Sequence, residues 1–333
     1  MHNYNLPTEI VRMVLALGVI ISILVYERWR LTGGAAVVAG YLAMFVDRPL
    51  YIVTTIVVAV GTYYLVQRII ARRVFLYGRR RLVVMIVVGM ILQALTSLVA
   101  FIGKQDAPWL VGLYGVGFVL PGLIAQDMER QGVRATLLTV GVTVLLTFLL
   151  FRDLLAIKSD LPIHWNSIAF EDKTIPYSYP TRWLIPAVFL SVLASALLFE
   201  WTGIRSGGFL AAAYAALFVL QPLHLLFIVA SGGLVYLFVT RFLMHHTAIF
   251  GRTKFAMMVL TGLAFTWALE GLVVWLTHNA FVPFAGFTII SPMIVALIAN
   301  DGERQGLRRT LAGLAICTMV VFAAIKGFSL LVA

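Results

Sequence analysis

The residues best suited to chemistry stand in a charged run that occurs twice. Residues 123–136 read LIAQDMERQGVRAT and residues 297–310 read LIANDGERQGLRRT, with ten of the fourteen positions identical. The shared residues include the pairs Asp127/Asp301, Glu129/Glu303, Arg130/Arg304, Gln131/Gln305 and Gly132/Gly306. Carboxylates and guanidinium groups so spaced can pair with each other or hold a charged partner. Because apolar composition does not produce a charged run, the repetition indicates a duplicated unit.

Two local structures fit this run. Helical spacing places Asp127, Arg130 and Arg134 on one face. Gly132 instead favours a helix end, and hence a compact turn. In a structural interpretation, the run is a solvated loop whose ion pairs contribute under about 1 kcal/mol each. In a functional interpretation, it docks a partner or forms an internal network. The run recurs in both halves, so both interpretations remain open.

Further charged candidates lie at the ends of apolar segments. Glu27 and Glu200 each close such a segment before a glycine-containing turn. Each carboxylate either caps the next helix or pairs with a basic group. Arg79, Arg80, Arg252 and Lys254 occupy the loops LYGRRR and IFGRTK. Such loops either hold anionic lipid headgroups or simply fix the loop at the cytoplasmic face.

Several kinds of site are missing from the sequence. His245 and His246 have no third ligand nearby, so we expect no metal site. No phosphate-binding GxxxxGK[ST] loop, HExxH motif or nucleophile elbow occurs. We therefore predict no catalytic residue and no cofactor on this chain. No basic domain is large enough to predict a nucleic-acid partner.

Composition defines the elements that must position these residues. The chain has 333 residues, 62% of them hydrophobic and 12% charged. Soluble domains average about 25% charged residues. Apolar stretches of roughly 20 residues, the length that crosses a bilayer as a helix, recur between short polar loops. The sequence predicts an all-α polytopic membrane protein, and the lack of a signal-peptide pattern predicts that its first segment is retained.

Each half contains about six apolar segments. We predict a first repeat at residues 1–157, an outer-surface linker at 158–182 and a second repeat at 183–333. An even number of crossings makes the repeats parallel in orientation. Residues 33–46 and 207–220 are too short for an ordinary crossing helix, so they are either re-entrant or tilted crossings. The net charge of +11 gathers in loops that should face the inside of a bacterial or archaeal cytoplasmic membrane.

Three stretches of the chain form a recognisable pattern: residues 76–80 (LYGRR), residues 115–125 (GVGFVLPGLIA) and the pair Gln131-Gly132. In these stretches the chain resembles the PgsC/CapC family, the membrane subunits of poly-γ-glutamate synthase. The family's Glu-x-Thr-Gly-Ile turn is kept at residues 200–204. The resemblance covers most of residues 8–157 and, more loosely, 183–331. Within it, Pro121, Gly122, Gly132 and Gly306 are candidates for structural breaks.

The chain departs from this family in three ways. Known members are about one repeat long, whereas this chain fuses two. The second half lacks the Pro-Gly pair, with Pro292 displaced, and it has Thr253 where the first has Arg80. The resemblance implies a complex with a cytoplasmic, ATP-dependent, Mur-ligase-like amide ligase and an accessory subunit with an extracellular domain. It also implies an anionic polymer, poly-γ-glutamate or a similar polyamide, that leaves the cell.

Three functions fit these observations. In the first, the basic loops and the charged run form a docking platform for the ligase. In the second, the repeats enclose an exit path for the polymer, with Arg79, Arg130, Arg252 and Arg304 gathered at its mouth. The third is a secondary transporter or channel for a small anionic solute. Only Glu270 and Lys326 are placed mid-membrane for that role, and both lie in one half.

Overall fold

The fold consists of helices that run nearly the whole length of the chain. A computed structural model describes residues 8–73, 75, 78–103, 108–160, 177–247, 249, 251–278, 280–283 and 291–331. Within these ranges there is no strand, and 8 helices are long and apolar enough to cross a membrane. The prediction of an all-α polytopic membrane protein is confirmed. The predicted linker at 158–182 lies largely outside the described residues.

The helices fall into two compact units, formed mainly by residues 9–165 and 166–333. The first unit contains α1 (Thr8–Trp29), α2 (Val38–Ala43), α3 (Pro49–Leu65), α4 (Gly78–Gly103), α5 (Leu120–Gln131) and α6 (Val133–Asp160). The second contains α7 (Leu184–Thr202), α8 (Ala211–Leu217), α9 (Pro222–Leu237), α10 (Gly251–Leu276), α11 (Ser291–Gln305) and α12 (Leu307–Leu331). Each helix of the first unit has its counterpart six helices later.

Proline and glycine fix the ends of several helices. Pro49 and Pro222 begin α3 and α9, where the missing N–H and fixed φ of proline are tolerated. Gly132 and Gly306 follow α5 and α11 with φ of +89° and +90°, which favours glycine. Each separates a short helix from the long helix that begins at the next residue. The charged run of the sequence therefore spans a helix end in both units.

The short apolar segment of the first unit connects opposite ends of that unit. α1 ends near Gln131, because Thr32 N–H donates to Gln131 Oε1 at 3.0 Å. α3 begins at the opposite end, where a Cβ on Gly112 would lie 2.6 Å from Leu50 Cβ. Residues 31–48 thus pass from one end to the other with α2 as their only helical part among the described residues. In the second unit, α8 holds the corresponding place.

Close helix packing positions α5 against α4. A Cβ on Gly122 would lie 2.6 Å from Ile86 Cα, so only glycine allows this approach. Pro121 is the second residue of α5, so the Pro-Gly pair opens the helix and packs it. In the second unit α11 is three residues longer at its start, with Pro292 again its second residue. The displaced proline therefore marks a longer helix of the same kind.

Several basic residues of each unit lie at the end that carries the repeated run, which we call the basic end. In the first unit they include Arg28, Arg68, Arg81 and Arg130, and in the second Arg205, Arg241, Lys254 and Arg304. The long helices leave many large apolar side chains exposed, among them Leu138 at 70% and Ile102 at 69%. Such surfaces suit contact with lipid chains. The basic end is where the repeated run lies.

Candidate functional site

The repeated run covers the last nine residues of a short helix and the first turn of the next long one. In the first unit these are α5 and α6, and in the second α11 and α12. The polar residues that the two runs share have the same placement in both units.

Gln131 binds the backbone of the turn that follows α1. Thr32 N–H donates to Oε1 at 3.0 Å, and Nε2 donates to the Thr32 carbonyl oxygen. Nε2 also donates to Thr136 Oγ1 at 3.0 Å. Gln305 repeats this arrangement with Arg205: its Oε1 accepts the Arg205 N–H at 2.8 Å and its Nε2 donates to the Arg205 carbonyl oxygen at 2.7 Å. One side-chain amide thus satisfies the backbone N–H and the backbone carbonyl of a single, partly buried residue.

Asp127 is a buried acceptor in the same turn. Its Oδ2 accepts the N–H of Gly34 at 2.9 Å and that of Ala35 at 3.3 Å. Asp301 Oδ2 accepts the Gly208 N–H at 3.0 Å, and its Oδ1 lies 3.5 Å from Arg205 Nη1. Asp127 is 3% exposed, so the interpretation as a solvated loop is wrong for this residue. The carboxylate is stabilised by backbone N–H groups, as buried carboxylates must be.

Glu129 and Glu303 pair with a basic residue at the start of the neighbouring long helix. Glu129 Oε1 lies 2.6 Å from Arg81 Nη1, and Glu303 Oε2 lies 2.6 Å from Lys254 Nζ. The preceding position differs between the units, with Arg80 in the first and Thr253 in the second. The ion pair itself is kept in both units, although Lys254 stands where the first unit has Arg81. Because these side chains are about one-fifth exposed, each pair contributes at most about 1 kcal/mol.

Arg130 and Arg304 differ from the rest of the run. Both side chains are exposed, and neither makes a hydrogen bond or an ion pair with any described residue. Arg134 and Arg308, four residues further on, are exposed as well. Asp127 and Arg130 therefore do not share one surface, because Asp127 is buried and Arg130 is exposed. The run thus contains a structural part directed inward and a pair of arginines directed outward.

The remaining candidates have mixed environments. Glu27 and Glu200 are exposed in the last turns of α1 and α7. Neither α2 nor α8 has a side-chain cap, so the capping role expected of these glutamates is wrong. Arg79 and Arg252 are partly buried, whereas Arg80 is exposed. No group of three or more His, Cys, Asp and Glu side chains that would hold a metal occurs in the described part of the chain.

Residues that the sequence did not single out complete the site. Arg81 supplies the partner of Glu129, and Thr136 Oγ1 receives a bond from Gln131. Thr310 Oγ1 receives the equivalent bond from Gln305 at 2.9 Å. Glutamine and threonine were among the ten identical positions of the repeat, so the signal was present. Their partners on α1 and α4 lie too far along the chain for local spacing to identify.

The fold and this site together define a multi-pass, all-helical membrane protein with a tandem repeat, each repeat carrying the same polar cluster at its basic end. The chain belongs to the Capsule biosynthesis CapC family, whose model matches residues 17–137 and again residues 190–311. The double match confirms the tandem duplication and the family resemblance. The second match begins 173 residues after the start of the first and ends 174 residues after its end. The two charged runs are also 174 residues apart.

Two curated relatives cover about one repeat each. The capsule biosynthesis protein CapC of Bacillus anthracis is 31% identical over 135 residues, which are 40% of this chain and 87% of that protein. The PGA biosynthesis protein CapC of Bacillus subtilis (strain 168) is 30% identical over 144 residues, or 42% of this chain and 94% of that protein. No solved structure matches the chain significantly.

Proposed function

We propose that this chain is a non-catalytic integral membrane subunit of a complex that makes and exports poly-γ-glutamate or a similar anionic polyamide. Its place is the cytoplasmic membrane, with the basic ends inside. It anchors a cytoplasmic, ATP-dependent, Mur-ligase-like amide ligase beside an accessory subunit with an extracellular domain. Catalysis and ATP binding belong to the ligase. Family membership and the names of both relatives support this role.

The observation that carries the docking role is the exposure of Arg130 and Arg304. Their neighbours Asp127, Glu129 and Gln131 are all bound within the unit, so the run needs no arginine at position 130 for its own structure. An outward-facing arginine at the same place in both repeats fits a partner with acidic side chains, which guanidinium groups bind in bidentate fashion. A docking platform accounts for this geometry better than an internal polymer path.

The transporter alternative has less support. It depends on ionisable residues in the middle of the membrane, and only Glu270 and Lys326 were placed there. Glu270 is fully buried in α10, whereas Lys326 is exposed on α12. The first repeat has Ser97 at the position of Glu270, at the same offset of 173 residues. A transport site would thus rest on one residue in one repeat, so we favour the docking platform.

Co-purification of the ligase tests the docking role. The variant Arg130→Glu/Arg304→Glu reverses two charges in the proposed contact, and because both side chains are exposed we expect the helices to remain intact. We expect it to lose the ligase from detergent-solubilised complexes while remaining in the membrane. The matched control is Arg28→Glu/Arg241→Glu, which reverses two exposed arginines at the basic ends, one in each repeat, outside the run. Equal ligase retention in all three proteins, or equal loss in both variants, contradicts a specific docking role.

A further inference from the structure

The two repeats differ in charge where a membrane-spanning helix reaches the basic end. α3 continues as a π-helical turn, Val66–Ile70, and a final turn, Ala71–Arg73. α9 continues in the same way, as Phe238–Leu243 and Met244–His246. The offset of 173 residues aligns Arg68 with Arg241, Arg72 with His245 and Arg73 with His246. All six side chains are exposed.

In the first repeat this segment is a dense cationic surface. Arg68 lies over the Tyr64 ring with its guanidinium carbon 5.7 Å from the ring centre. Arg72 and Arg73 make no hydrogen bond or ion pair with any residue that the structure describes. Residues 66–75 contain no acidic side chain. Three guanidinium groups therefore remain on one short segment with nothing of opposite charge in it.

Apolar side chains in the same segment locate this surface at the bilayer. Ile69 is 52% exposed and Phe75 is 86% exposed, which is costly in water but favourable against lipid. The segment closes a span of 25 residues, Pro49–Arg73. Helix ends of this kind lie at the depth of the lipid headgroups. The arginines fit the headgroup phosphate of a phospholipid, and the apolar side chains beside them fit the acyl region of the same molecule.

The second repeat lacks this charge. Only Arg241 carries a permanent positive charge there, because histidines replace the arginines at positions 245 and 246. His246 Nδ1 is 2.8 Å from the Phe242 carbonyl oxygen, and its ring lies 4.7 Å from the Phe242 ring. One of the two histidines is thus held by its own helix. The surface that faces headgroups in the first repeat has no equivalent here.

We propose that residues 66–73 of the first repeat form a binding site for an anionic phospholipid, with Arg68, Arg72 and Arg73 on the headgroup phosphate. The corresponding segment of the second repeat, residues 239–246 by the same offset, does not bind one. The tandem protein is therefore asymmetric toward the membrane although its polar clusters are alike. This site shares no residue with the proposed ligase contact at Arg130 and Arg304.

Swapping the two residue pairs between the repeats tests the site. The full chain is purified in a mild detergent at about pH 8, where imidazole is uncharged. Phosphatidylglycerol binding is measured by native mass spectrometry, with phosphatidylcholine as the neutral comparison. At about fivefold per basic residue, Arg72→His/Arg73→His should weaken phosphatidylglycerol binding about 25-fold. The reciprocal variant His245→Arg/His246→Arg should gain a second bound phosphatidylglycerol.

Further measurements make the test decisive. Arg72→Lys/Arg73→Lys should keep most of the binding, which shows that the histidine variant has lost charge and not fold. Unchanged binding in Arg72→His/Arg73→His would overturn the site. Displacement of the lipid by glycerol phosphate at equal concentration would also overturn it, because the ligand would then be a soluble phosphate. Ligase retention measured on the same variants separates this outcome from failure of the docking role.

Discussion

The side-chain amide of Gln131 is hydrogen-bonded to both backbone polar groups of Thr32, 99 residues earlier in the chain. The amide makes the hydrogen bonds to a backbone N–H and carbonyl that a neighbouring strand or helical turn normally makes. Gln305 does the same for Arg205 across 100 residues. The turn after α1 is therefore held by the end of α5, and the turn after α7 by the end of α11, in each case a helix about 100 residues away in the chain.

Removal of this amide should destabilise the first repeat. Gln131→Ala leaves the Thr32 N–H and carbonyl without protein partners, and we expect a loss of about 1–3 kcal/mol. Thermal unfolding in detergent, followed by tryptophan fluorescence, measures the change. Gln126→Ala is the matched control, because Gln126 lies on the same helix and makes no hydrogen bond to a described residue. An equal melting temperature for both variants would show that the Thr32 pairing carries no stability.

The ion pair between Arg81 and Glu129 should show a coupling energy in a double-mutant cycle. The two side chains are partly exposed, so we expect about 0.2–1 kcal/mol. Each single charge reversal should cost more than the swap Arg81→Glu/Glu129→Arg, which restores opposite charges. Lys254 and Glu303 provide the same cycle in the second repeat. Stabilities that simply add in both cycles would exclude an energetic role for these pairs.

Arg30 occupies a left-handed backbone conformation that its counterpart fills with glycine. Arg30 has φ +58° and the aligned Gly203 has φ +73°, each just after a long helix. A side chain in this region costs about 1–2 kcal/mol. We therefore expect Arg30→Gly to be more stable than Arg30→Ala by about 1 kcal/mol, measured by chemical or thermal unfolding.

The second repeat supplies the converse substitution. Gly203→Ala should lower stability by about 1 kcal/mol, because alanine must adopt the positive φ. Gly141→Ala is the control, since Gly141 lies in the middle of α6 with no atom within 4 Å of a new Cβ. That control should be neutral or stabilising. A gain in stability for Gly203→Ala would contradict the strain argument.

Gly122 should tolerate no side chain, because α5 and α4 approach through it. A Cβ there would lie 2.6 Å from Ile86 Cα and 2.8 Å from the Met85 carbonyl oxygen, both of them backbone atoms. We expect Gly122→Ala to cost about 1–3 kcal/mol by overpacking. The second repeat carries Ala296 at this position, so Ala296→Gly should change stability much less. Comparable losses in both variants would count against close packing as the cause.

How much of the site the sequence predicts can be judged from Glu27 and Asp127. From the sequence, Glu27 was a candidate cap for the helix that follows the turn after α1, with pairing to a basic group as the alternative. Asp127 supplies the carboxylate at that turn instead, from 93 residues away, and Glu27 faces outward. Capping rules use local spacing, whereas this contact depends on where α5 packs against the turn. The same reasoning applies to Arg81, whose pairing with Glu129 is invisible to spacing.

The sequence alone determined that the chain is helical, crosses a membrane many times and is duplicated, because hydropathy, segment length and the repeated charged run are properties of the chain itself. It also identified the family from short motifs. Only the tertiary structure decided which members of the run are bound inside each unit and which, like Arg130, are left exposed. It also decided that residues 31–48 cross from end to end. Both outcomes depend on packing between helices that are distant in sequence, and the free energy of such contacts is set by geometry that no local pattern encodes.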